Sequence, residues 1–75
     1  MKDGNDYHEG ETFRSKCGRA RITYHPDWDS ERPWVSYIRG TASRHYPGPY
    51  TAMVRMRDDY GYQLDLTRQP QETVA

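Results

Sequence analysis

Seventy-five residues, 33% of them hydrophobic and 29% charged, make one small domain with little apolar matter to bury. The formal net charge is zero, which removes the simplest case for a polyanion-binding protein, and a single cysteine excludes a disulfide framework. No apolar run approaches a membrane span, and Met1-Lys-Asp-Gly-Asn-Asp6 has no apolar stretch of the secretory kind, so no membrane partner is expected and the expected location is the reducing cytoplasm.

Residues 1–10 are polar, contain two glycines, and read as a flexible N-terminal arm. Residues 11–68 form the single β domain. Within it, Phe13, Ser15 and Cys17 alternate with Thr12, Arg14 and Lys16 as in a short edge strand, which Gly18 interrupts. Arg19 to His25 is a better strand: Ala20, Ile22 and Tyr24 face one way, and Arg19, Arg21, Thr23 and His25 the other. Pro26 ends it, because proline has no N–H for the ladder. A polar loop runs on to Pro33.

Trp34 to Arg39 is the next strand. Its preferred orientation puts Trp34 and Ile38 inward and leaves Val35, Tyr37 and Arg39 on the second face. A loop follows, in which Tyr46-Pro47-Gly48-Pro49 has the Pro-Gly centre of a type II turn. Residues 50–67 read as a β-hairpin. Ala52, Val54 and Met56 alternate with polar or outward residues, as do Tyr62, Leu64 and Leu66, and Asp58-Asp59-Tyr60-Gly61 supplies a turn with positive φ at Gly61. Residues 69–75 read as a C-terminal tail.

The expected fold is therefore all-β: a small antiparallel sheet, or an SH3- or OB-like barrel, of four to five strands. Its expected core is Phe13, Ala20, Ile22, Tyr24, Trp34, Ile38, Ala52, Val54, Met56, Tyr62, Leu64 and Leu66.

No motif for chemistry emerges. His8, Cys17, His25, His45, Asp27 and Asp29 are metal-ligand types, but no paired Cys or His spacing joins them, so no metal and no cofactor is expected. Cys17 with His25 or His45 can be drawn as nucleophile and base, as in any small protein holding one cysteine and a few histidines. The glycines make no phosphate-cradling loop. The expectation is a non-catalytic protein.

Two binding readings remain. The chain has seven Tyr and two Trp, more than a core of this size absorbs, and these types with Arg are enriched at interface hot spots. On this reading Trp28, Asp27, Asp29, Tyr46, Tyr50, Asp58, Asp59 and Tyr60 meet another protein. Size and surface chemistry suit a phage- or plasmid-type accessory protein that inhibits a host or defence nucleoprotein complex by occluding its surface. The alternative is a module for single-stranded RNA or DNA that uses Arg19, Arg21, Tyr37, Arg55 and Arg57 as an arginine and tyrosine sheet face. A homodimer through the second face of the 34–39 strand is a third arrangement.

Overall fold

A computed structural model describes residues 7–67; residues 1–6 of the expected arm, residue 68 of the expected domain and the expected tail, 69–75, lie outside it. Four strands, β1 (Thr12–Arg14), β2 (Ala20–Tyr24), β3 (Trp34–Ile38) and β4 (His45–Tyr46), form one sheet. Each pairs antiparallel with the next in the order β1-β2-β3-β4. The sheet does not close into a barrel.

The alternation of β2 and β3 sets the two faces. Ile22 lies opposite Ser36, Ala20 opposite Ile38 and Tyr24 opposite Trp34, so Ala20, Ile22, Trp34 and Ile38 share the core face as expected. Trp34 is the centre of that face, 1% exposed. Phe13 stacks on it at 5.6 Å, and Tyr24 (5.1 Å) and Tyr7 (5.0 Å, edge-on) complete the ring cluster. Tyr7 falls in the stretch that the sequence places in an arm. Beside it, Gly10 and Glu11 together face Tyr24: Gly10 N–H donates to Tyr24 O and Tyr24 N–H to Glu11 O. Two residues against one is a β-bulge, and the positive φ of Gly10 (86°) is the backbone state it requires.

The expected hairpin over 50–67 does not form. Pro49–Arg55 is a helix, α1, which continues into a π-helical turn over Met56–Tyr60. Ala52 and Met56 are fully buried and Met53 packs against the core, whereas Val54, an expected core residue, is 38% exposed. The reason lies in the spacing. Residues 52 and 56 are four apart, which satisfies period two and period 3.6 alike. Residues 49, 53 and 60 then fall on the same helical face, with Pro49 and Met56 buried and Met53 and Tyr60 half-buried. Pro49 at the first helical position and Gly61 just past the end bracket the element, and Ala, Met and Arg favour helix over strand.

Gly61 does take positive φ (78°), but as the left-handed residue that ends a helix, its N–H donating to Arg57 O at 3.0 Å. The Pro47-Gly48 type II turn is also absent: Gly48 has φ −154°, an extended backbone from which α1 starts, and Ala52 N–H bonds back to its carbonyl.

The alternation of 62–67 survives with a different partner. Leu64 is buried and bridges Ser15 at the outer edge of β1; Asp65 N–H donates to Arg14 O and Lys16 N–H to Gln63 O. The chain thus crosses from the β4 end of the sheet to the β1 end, and Met56 and Leu64 join Phe13, Ile22, Trp34, Tyr46 and Ala52 in one core.

Tyr46 is 7% exposed, and its hydroxyl has no hydrogen-bond partner among the described residues. Ser36 is close enough to act on the phenol, but no bond of acceptable geometry forms, and Ser36 Oγ accepts Arg44 N–H instead. Burial pushes the phenol pKa up. An unpartnered buried hydroxyl costs about 1–3 kcal/mol. Tyr46→Phe should therefore leave stability unchanged or raise it by about 1 kcal/mol in urea unfolding; a clear loss would mean that the hydroxyl is bonded. Gly61→Ala should cost about 1–2 kcal/mol through its left-handed backbone alone, because an added Cβ meets nothing within 4 Å. The same substitution at Gly48, whose φ is negative, should cost less.

Candidate functional site

The core face is filled by side chains, and the opposite face of the sheet is open only in part: Val35 (1% exposed) and Thr23 (8%) are buried on it, Tyr37 is half-buried and Arg21 is exposed. Alternation puts Arg21 and Thr23 of β2 there, with Val35 and Tyr37 of β3. Thr12 Oγ1 and Thr23 Oγ1 lie 3.0 Å apart in a hydrogen bond, which places Thr12 of β1 on that face too.

A file of contacts crosses this face. Register sets Arg21 directly opposite Tyr37, and the Arg21 guanidinium carbon lies 4.6 Å from the tyrosine ring centroid. Tyr37 Oη shares a hydrogen bond of 3.4 Å with His25 Nε2. The His25 imidazole lies parallel to the Trp28 indole, with centroids 3.8 Å apart and planes 5° apart. Local chain geometry makes this last stack. Trp28 N–H donates to His25 O, and His25 N–H to Pro33 O at 2.7 Å closes the loop. Asp29 braces the same loop, its Oδ1 accepting the N–H groups of Glu31 and Arg32 and its Oδ2 lying 3.4 Å from Arg32 Nε. The Arg32 N–H bond, foremost, holds the Asp29 carboxyl below its usual value.

At the arginine end lies a depression of about 260 Å³, lined by Arg19, Arg21, Tyr37, Ile38, Arg39, Thr41 and Ser43. No carboxylate lines it. Its three arginines are exposed, and among the described residues none is ion-paired.

These positions divide the sequence-derived candidates. Arg19, Arg21 and Tyr37 do converge. Arg55 and Arg57 do not join them, because they belong to α1 and the π-helical turn rather than to a strand beside β2; Arg57 Nε instead pairs with Asp58 at 3.2 Å. Arg39 takes their place. Its period-two relation to Tyr37 was the signal that could have found it, whereas Thr41 and Ser43 follow the Gly40 turn and had none.

The protein-binding candidates sit on separate elements. Trp28, Asp27 and Asp29 are in the loop over 25–33, with Trp28 58% exposed. Tyr50, 67% exposed, is on α1. Asp58, Asp59 and Tyr60 lie in the π-helical turn, where Tyr60 packs against the core. Tyr46 is a correction: it is buried in the core, because β4 places it opposite Trp34.

Cys17 is exposed and its sulfur lies 3.3 Å from Ser15 Oγ, a contact that lowers the thiol pKa; neither His25 nor His45 is its partner. Among the described residues no three His, Cys, Asp or Glu side chains gather as a metal site, and no helix is long and apolar enough to cross a membrane.

The two tryptophans provide a test of which surface is free. Trp34→Ala should cost about 3–5 kcal/mol and unfold so small a domain. Trp28→Ala should lower the melting temperature only slightly, since more than half of the side chain is already in water. Equal losses in thermal denaturation would place Trp28 in the core. No known protein family, curated protein or solved structure matches the chain, which leaves the chemistry of this face as the guide to function.

Proposed function

We propose that the protein is a non-catalytic module that binds single-stranded nucleic acid on the second face of its sheet. The observation that carries this is the acid-free depression in which Arg19, Arg21 and Arg39 surround Tyr37. Guanidinium groups give paired donors to phosphate oxygens, and an aromatic ring beside them accepts a base without reading its identity. Arg21 already lies over Tyr37, so the arginine is held at the site before a ligand arrives. The neutral total charge does not oppose this, because the acids Asp27, Asp29, Glu31, Asp58, Asp59 and Asp65 lie outside the depression. Local field, rather than net charge, steers a charged ligand to a patch.

A second reading, docking to a protein, is favoured by α1. Tyr50 and Val54, one helical turn apart, are both exposed and with Thr51 and Arg55 line a shallow depression of about 540 Å³. On this reading the partner covers Tyr50, and Tyr50→Ala abolishes capture while leaving oligonucleotide affinity untouched.

The first reading is tested by fluorescence anisotropy of a labelled single-stranded oligonucleotide at 50 and 200 mM salt, titration conditions in which about three phosphate contacts should cost roughly twentyfold in affinity. Replacing Arg19, Arg21 or Arg39 by Gln one at a time should flatten the salt slope by about 0.7 each. Absence of binding at the lower salt would overturn the proposal.

A further inference from the structure

We infer that Trp28, held on His25, is a plate on which a base of the bound oligonucleotide stacks, so that the site spans from the arginine depression to the loop over 25–33. This deepens the nucleic-acid reading and rests on it. The indole is both exposed and fixed. One of its faces is covered by the parallel imidazole at 3.8 Å, and the loop that carries it is closed at His25 and Pro33 and braced by Asp29. A large apolar ring left 58% in water gives up burial that Trp34 takes in full. Fixing such a ring in advance removes the ordering cost of stacking a ligand on it.

The file of contacts joins the plate to the depression without a gap: Trp28 to His25, His25 to Tyr37, Tyr37 to Arg21. Length then sets the size of the ligand. Arg21 in β2 and His25, the residue just after it, are four residues apart, about 13 Å at roughly 3.3 Å per residue. Phosphates of a stacked strand are about 3.4 Å apart along its axis, so this distance takes roughly four nucleotides.

Charge sets the ligand's orientation. The loop that carries the plate holds Asp27, Glu31 and Asp29, the last paired with Arg32, and so keeps an acidic balance, whereas Arg19, Arg21 and Arg39 line the other end. A sugar–phosphate backbone is therefore drawn to the depression and repelled beside Trp28, where an uncharged base is accepted. The interior base pairs of a duplex cannot use the plate, because their faces are already stacked on each other; only an open duplex end presents a free base face.

The fluorescence of the two tryptophans reads this directly, since Trp34 is buried and Trp28 is the one a ligand can reach. Tetrathymidylate, dodecathymidylate and a duplex closed by hexaethylene-glycol linkers at both ends, of matched phosphate concentration, are titrated into the intact chain at low salt, with anisotropy of a labelled dodecamer as the second measurement. The expected result is saturable quenching by both single strands with similar affinity, and none by the duplex. Trp28→Leu should abolish the quenching and weaken dodecamer binding by about tenfold, within the range for loss of one base–aromatic stack. If the dodecamer binds by anisotropy but does not quench the emission of the unsubstituted chain, and Trp28→Leu leaves its affinity unchanged, the plate is wrong and the arginine site stands. If no oligonucleotide binds by either measurement, both fall.

Discussion

Burial of the Trp34 indole is the constraint on which the rest of the described chain depends. It lies at the first position of β3, where Tyr24 of β2 and Tyr46 of β4 are its partners across the ladder. Phe13 and Tyr7 close on it from the N-terminal side. So small a chain has few other large apolar groups, and burying one ring of this size contributes more than most of its remaining contacts. Once Trp34 points inward, period two forces Ser36 and Ile38 inward with it and turns Val35 and Tyr37 to the other side.

That division separates the packed face from the face that carries the proposed site. The inward face is occupied by Phe13, Ala20, Ile22, Trp34, Tyr46, Ala52, Met56 and Leu64, which leaves no group there for a ligand. The opposite face inherits Arg21 of β2, and ladder pairing aligns it with Tyr37. The same register that buries Ile22 therefore builds the cationic patch, and a one-residue slip would lose both. The loop over 25–33 extends the patch by laying Trp28 on His25 at the point where Pro26 ends the strand.

The site was partly legible before the fold was known. Arg19, Arg21 and Tyr37 could be assigned to outward positions because alternation within one strand is local. Arg39 could have been added on the same ground. Arg55 and Arg57 were misplaced because their positions depended on a hairpin, and the run from Ala52 to Met56 fits a helix as well as a strand. Tyr46 looked available for an interface because it precedes Pro47 in a loop-like stretch; only its position opposite Trp34 shows that it is core. The Trp28–His25 stack had no signal in residue spacing, since it depends on how a turn returns the indole over the strand.

The sequence by itself determined β2 and β3, the inward side of β2, the interruption at Gly18 and the positive φ of Gly61, because each of these follows from period-two patterning or from the conformational freedom of one residue; the side of β3 stayed open because it carries apolar residues on both faces, and Trp34 and Val35 are both buried. Only the tertiary structure decided that Pro49–Arg55 is helical, that 62–67 runs beside β1, and that Arg39 rather than Arg55 and Arg57 completes the arginine cluster. Those outcomes depend on which distant segment supplies the missing wall of the core. A spacing of four residues between Ala52 and Met56 leaves that question open, and the side of Trp34 still to be covered settles it.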